Sequence, residues 1–315
     1  STGCWSPEIL EAADLDPAQL PDIRPSASVV GTVLPSVAAE AGVPAGTPVV
    51  IGGGDGACAA AGAGVVAPGS AYNYIGASSW IALATPAPIF DPDYTTFTFA
   101  HILPDLFMPD GTMQTAGAAY QWTRDQLCPQ AITAAATLDL NPYDLLNAQA
   151  AQSPPGANGL LFLPYLLGER SPHWDPLARG AFVGLTIRHT RADLIRAVLE
   201  GVALNLRLIL QAFQAQGAQP DAIRLIGGGA RSDVWLSIKA DLLDMEVLRV
   251  DCEEPACQGA AMLAAIASGQ LPGLAAASQA FHRVKRRFQP DAVRHTCYLN
   301  EFGIDALSSD AGEAR

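Results

Sequence analysis

Apolar positions fall in two rhythms along this chain: short β-branched runs that stop at glycines, and longer stretches with helical spacing. Thr47-Pro48-Val49-Val50-Ile51 is halted by Gly52-Gly53-Gly54, which is the pattern of a buried strand. Residues 56–66 are rich in Ala and Gly and read as a helix ended by Ala67-Pro68-Gly69. Strands are expected over 71–75 and 80–84, joined by the Gly76-Ala77-Ser78-Ser79 turn, with another near 96–100. Helices are expected over 117–127 and 142–151, then a strand over 160–163 after Pro154-Pro155-Gly156.

The second half alternates more plainly. Residues 191–216 space Leu194, Ile195, Val198, Leu199 and Val202 as the apolar stripe of a long amphipathic helix. A strand over 222–226 runs into Gly227-Gly228-Gly229, followed by a helix over 232–243, a strand over 246–250 and a helix over 256–268. Strand–helix alternation with short connections predicts an α/β domain. A β-branched run entering a triple glycine occurs at 47–54 and again at 222–229, as a duplicated architecture would produce. No fixed period of the kind solenoids show is present. Residues 1–46 read as loops around one or two helical turns, and the segment after Asp305 as a polar, frayed tail.

Composition narrows the function classes. Half of the 315 residues are hydrophobic and 16% are charged, a globular composition that fits about two domains and is compatible with a homodimer. The net charge of −13 argues against nucleic acid as a partner, yet backbone N–H groups and Mg²⁺ can still hold phosphates locally. No apolar run reaches the roughly 20 residues of a membrane span, and no secretion signal opens the chain. The absence of an initiating Met suggests a processed product or a fragment. The six cysteines form no C-x-x-C and no zinc-ligand spacing with histidine, so reduced thiols in a cytoplasmic protein are expected.

Four segments carry candidate chemistry. Asp55, at the end of a glycine-terminated strand, is placed either as a general base beside a small ligand or as a cap for the helix it precedes. The 76–79 turn offers hydroxyls and amides that can wrap a phosphate, or is only a turn. Gly227-Gly228-Gly229-Ala230-Arg231-Ser232 opens a helix and can meet an anion there. It matches neither the dinucleotide nor the P-loop fingerprint, which points to nucleotide binding by another architecture. Leu163 to Pro176 forms a long ordered loop in which Glu169 and Arg170 can pair.

Taken in order, these segments resemble the FGGY carbohydrate kinases, xylulokinase and its near relatives in particular. The most specific stretch runs from Gly180-Ala181-Phe182-Val183-Gly184-Leu185 through Asp193-Leu194 to Ala197-Val198-Leu199-Glu200. Its lead-in is Gly168-Glu169-Arg170-Ser171-Pro172-His173-Trp174-Asp175-Pro176. The resemblance implies the actin-like ATPase (ribonuclease H-like) fold, here a C-terminal domain plus the end of the N-terminal domain. The divisions it suggests are 1–66 for the end of the sugar-binding domain, 67–290 for the ATP-binding domain and 291–315 for a tail. It implies ATP and Mg²⁺ as cofactors and a sugar as substrate, D-xylulose giving D-xylulose 5-phosphate. Gluconate, glycerol or a non-catalytic nucleotide-binding role are the alternatives.

By motif, Asp55 falls on the catalytic base, and Gly76 and Ala77 on the turn that contacts the phosphates. Ala77 stands where the family usually has Thr, a loss that Ser78 is placed to compensate. Gly117 and Gln121 match nucleotide-contacting positions, Gly228 and Gly229 the adenosine motif, and Asp233 its adenine side. Gly56 replaces the Asn common in xylulokinases. The family's opening Asp-x-Gly-Thr phosphate loop is not in the sequence, so the chain is expected to be inactive alone.

Overall fold

The computed structural model describes residues 4–93 and 95–303. It begins with helix α1 (Pro7–Ala12), strand β1 (Val29–Thr32), helix α2 (Pro35–Ala41) and strand β2 (Pro48–Val50). β1 and β2 pair antiparallel as a separate ribbon. The strand expected at 47–51 is therefore present but is not buried: Pro48 and Val49 are exposed and Val50 only half-buried. A β-branched run is buried when elements cover both its faces. Among the described residues β2 pairs with β1 alone, outside the main sheet.

Helix α3 (Asp55–Gly62) leads into β3 (Ser70–Ile75), β4 (Ser79–Leu83), β5 (Phe97–Ala100) and β6 (Phe107–Met113). Three helices follow, α4 (Gly117–Trp122), α5 (Pro129–Leu138) and α6 (Pro142–Ala150). A second ribbon of β7 (Leu161–Leu163) and β8 (Ala181–Val183) brackets the long loop. The rest is α7 (Arg191–Ala215), β9 (Ala222–Ile226), α8 (Asp233–Leu243), β10 (Glu246–Val250), α9 (Pro255–Ala267), α10 (Leu274–Phe281), β11 (Val284–Phe288) and α11 (Ala292–Phe302).

Seven strands form one mixed sheet in the order β11-β10-β9-β3-β4-β6-β5. Its β3–β9–β10 centre is parallel and both wings are antiparallel. Parallel neighbours need crossover helices, and α7 and α8 supply them. α7 starts at a capping box in which Asp193 accepts from the Thr190 amide and hydroxyl. It buries Ile195, Val198, Leu199, Val202 and Leu206 beside Trp235 of α8 on one face of the sheet. On the other face Ala60, Ala63 and Val65 pack on Tyr72, Ala82 and Ile226.

Some elements are not announced by the hydrophobic pattern. β6 contains Pro109 and Gly111, which read as strand breakers. Gly111 is required because Ile209 of α7 occupies the place of its side chain. β11 is Val284-Lys285-Arg286-Arg287-Phe288, a charged edge strand whose cations discourage further pairing. They also find partners, Lys285 with Asp251 at 2.7 Å and Arg287 with Glu246 at 3.0 Å. α11 buries Tyr298, whose hydroxyl donates to Glu200 and accepts from Arg196. The tail after Asp305 lies outside the described residues.

α3 and α9 cross backbone to backbone. A Cβ on Gly62 would enter the carbonyl of Pro255, and one on Gly259 the carbonyl of Cys58. The crossing fixes α3, and with it Asp55, against the main domain. Gly259→Val is expected to lower stability by about 3 kcal/mol, since the clash is with the rigid Cys58 backbone of α3. A shift of the urea midpoint checks this.

Candidate functional site

Strand β3 carries the chain to the site. Its Ile75 pairs with Ser79 across the turn, which the Gly76 amide closes by donating to the Ser78 carbonyl at 3.0 Å. The turn is bound in turn to the start of α4. The amides of Ala116 and Ala118 donate to the Ala77 carbonyl at 2.8 and 3.0 Å, and that of Gly117 to the Gly76 carbonyl at 2.9 Å. Gly117 is glycine because any Cβ would overlap the Gly76 carbonyl. The first amides of α4 therefore hold the turn.

The second glycine run has three different jobs. Gly227 sits at φ +87°, a left-handed conformation, with the Ile75 carbonyl where a Cβ would go. Gly229 abuts the Ile75 side chain and Trp235. Gly228 has nothing within 4 Å of its missing Cβ, so it alone of the three faces open space. α8 then begins at Ser232, whose hydroxyl accepts from the Trp235 amide at 3.2 Å.

Two adjoining hollows result, and Gly228 and Arg231 line both. The smaller, of about 340 Å³, has Gly76, Ala77, Gly117, Gln121, Gly228 and Gly229 on its walls. Its remaining walls include residues that the sequence did not single out. Tyr120 and Tyr143 lie 5.1 Å apart between ring centres, and Trp235 lies 5.6 Å from Tyr120. Asn147 Oδ1 accepts from the hydroxyls of Tyr120 at 3.0 Å and Ser232 at 2.7 Å. An aromatic slot with a fixed amide beside glycine turns suits a flat heterocycle carrying an anionic tail. Helical spacing was the only signal for Tyr120 and Asn147, and that spacing says core.

The larger hollow, of about 630 Å³, is walled by Asp55, the stacked pair Tyr74 and Trp80, and the acids Asp251, Glu253 and Glu254. Asp55 is the exposed first residue of α3, with Oδ1 accepting from the Gly56 amide at 2.8 Å. Ser78 lines neither hollow. Nor does Asp233, which is turned to a third, where Arg249 at 2.8 Å and Arg286 bind its carboxylate. The structure thus gathers six of the expected residues round one hollow, sets Asp55 in the next, and leaves Ser78 and Asp233 outside both. Among the described residues no group of three or more His, Cys, Asp or Glu side chains is placed to hold a metal ion. Mg²⁺ commonly needs only one or two carboxylates when phosphates and water complete its shell. The acids Asp251, Glu253 and Glu254, which wall the larger hollow with Asp55, offer carboxylates of that kind.

The long loop is tied to the site through Glu169. Its carboxylate does not hydrogen-bond to Arg170's guanidinium; it accepts from the amides of Gln114 at 2.6 Å and Arg170 at 2.8 Å, and from Asn205 at 3.2 Å. Burial pushes this carboxyl up to about 7, against the opposing pull of those amides. A raised folded-state value means stability that is full below pH 4.5 and lost as pH rises through about 7. Relative to Glu169→Gln, the wild type is expected to lose roughly 3 kcal/mol between pH 4 and 8. Urea titrations of both proteins across that range check the sign.

Among the described residues no helix is long and apolar enough to cross a membrane. Residues 71–268 match the C-terminal domain of the FGGY family of carbohydrate kinases, and residues 1–62 match its N-terminal domain. The chain is 34% identical over 284 residues to the xylulose kinase of Staphylococcus epidermidis, covering 90% of this chain and 55% of that one. It is also 34% identical over 275 residues to the gluconokinase of Bacillus subtilis, covering 87% of this chain and 53% of that one. The crystal structure of xylulose kinase from Rhodospirillum rubrum superposes with a TM-score of 0.84 at 33% identity, over 96% of this chain and 59% of its own. The chain spans little more than half the length of these curated relatives.

Proposed function

This chain belongs to the FGGY family of carbohydrate kinases, and we propose that it binds ATP in the smaller hollow and directs the γ-phosphate into the larger one. Its fold is the actin-like ATPase fold of that family. The observation that carries the proposal is the shared wall: Gly228 and Arg231 border both hollows, and Asp55 lines the larger. The adenine ring lies among Tyr120, Tyr143 and Trp235, and the phosphates pass the 76–78 turn and Gly228. Arg231, largely exposed and 4.0 Å from Glu253, is the guanidinium placed to meet them.

In the reaction a sugar hydroxyl attacks the γ-phosphorus and its proton passes to the Asp55 carboxylate. The bond from the γ-phosphorus to the bridging oxygen breaks and ADP leaves. Mg²⁺ on the phosphates would neutralise their charge, and the acids Asp251, Glu253 and Glu254 of the larger hollow are the side chains that would help hold it, leaving Asp55 free as base. Positioning and charge neutralisation provide most of the acceleration in phosphoryl transfer, and the parts described here supply those.

The acceptor we infer is a ketopentose, D-xylulose phosphorylated at its terminal hydroxyl, on the similarity to xylulose kinases. Gluconate is the second reading, because the gluconokinase of Bacillus subtilis is as similar. Calorimetric titration of this chain with MgATP is expected to give saturable binding. Full-length gene product is expected to consume ATP with D-xylulose and not with gluconate or glycerol. Absence of ATP binding sinks the first claim, and preference for another acceptor sinks the second.

A further inference from the structure

Beneath the turn lies a lysine that the reaction, as described, does not use. Lys239 of α8 is fully buried. Its Nζ donates to Asn73 Oδ1 at 2.6 Å and lies 5.2 Å from the Trp235 ring centre. No carboxylate among the described residues forms an ion pair with it. Burial accordingly pushes its amine well below the usual lysine range. A lysine in this place is electrostatically expensive, and a methionine of similar length would fill the same space without that cost.

What the amine secures is Asn73, itself buried in β3. Asn73 Nδ2 donates to Ser79 Oγ at 2.7 Å, to the Trp80 carbonyl at 2.8 Å and to the Tyr74 carbonyl at 3.1 Å. Ser79 Oγ donates back to the Tyr74 carbonyl at 2.5 Å. These are the residues on either side of the 76–78 turn. One side chain therefore clasps both ends of the hairpin, and Lys239 fixes which way that side chain faces. Above the clasp, the turn carbonyls are taken by the amides at the start of α4. The turn is held from below by Lys239 and Asn73, and from beside by α4.

We propose that Lys239 is a positioning residue, acting through Asn73 to hold the 76–78 turn where it meets the ATP phosphates. The inference rests on the ATP reading above. The base wall has an anchor besides the lysine's 5.2 Å contact with its ring, because Trp235 donates Nε1 to the Leu199 carbonyl at 2.9 Å. Losing the lysine amine should thus loosen phosphate contacts and spare base contacts.

The test is titration of the chain with MgATP and with AMP, wild type against Lys239→Met. The expected result is ATP binding at least tenfold weaker, AMP binding within twofold, and a melting temperature changed by only a few degrees. An unchanged ratio of ATP to AMP affinity overturns the inference, whether both affinities persist or both fall together. If the wild type binds neither nucleotide, the ATP reading fails first and takes the inference with it. Should Lys239→Met fail to fold, Asn73→Val cuts the same chain at its other link and is judged by the same ratio. Hydrogen exchange of the Ala116, Gly117 and Ala118 amides, expected to quicken in either variant without ligand, gives a second reading.

Discussion

If Asp55 is the base proposed above, Asp55→Asn in the full-length gene product is expected to cut sugar phosphorylation to about a thousandth of the wild-type rate, while the affinity for MgATP is expected to change less than threefold. A positioned general base contributes roughly 10²–10⁴-fold, and an amide cannot take the proton of the attacking hydroxyl. The nucleotide should be indifferent, because Asp55 lines the larger hollow and is not among the walls of the smaller one. Folding should be indifferent too. The side chain is exposed at the first turn of α3, and among the described residues its carboxylate accepts from the neighbouring Gly56 amide alone, a bond that an asparagine oxygen can also accept. Rate assays beside calorimetry separate the two quantities. A kcat within tenfold of wild type would return Asp55 to a helix-terminus role.

The local sequence left that role open, and the structure explains why. A carboxylate after three glycines is equally good at opening a helix and at facing a cleft. What distinguishes the two is where α3 points, and the α3–α9 crossing at Gly62 and Gly259 decides that through contacts between residues far apart in the chain. Local pattern was sufficient for β3, β4, β9, β10 and α7, whose periods are clean and whose ends carry glycine or caps. It failed for β6, where packing against Ile209 demands a glycine that reads as a breaker. It also failed for the burial of β2, which depends on what lies over the strand and not on the strand itself. The family read from the 164–200 motifs is the one that residues 71–268 match. The aromatic slot stayed hidden because Tyr120, Tyr143 and Trp235 sit at ordinary helical positions that meet only after folding. Asp233 was expected on the adenine side; it pairs with Arg249 of β10 and Arg286 of β11 and lines neither hollow, and no period in the sequence signals those pairs.

Gly228→Leu is the sharpest test of the nucleotide hollow, with ATP affinity expected to fall at least a hundredfold in a protein that folds as well as the wild type. The three glycines look alike in sequence yet differ in what surrounds them. Substitution at Gly227 forces a left-handed backbone and a clash with the Ile75 carbonyl, and at Gly229 a clash with Ile75 and Trp235. Either change confounds binding with stability. Gly228 has neither problem: its φ is not positive and no atom lies within 4 Å of the site of its Cβ. A leucine there grows into the passage that both hollows share, where the phosphates would run. A loss of this size is about 2.7 kcal/mol of binding free energy, readily read by calorimetry. Matching melting curves show that the loss is not one of folding. Should Gly228→Leu bind ATP as tightly as the wild type, the nucleotide does not pass between the two glycine turns, and the shared wall has another use.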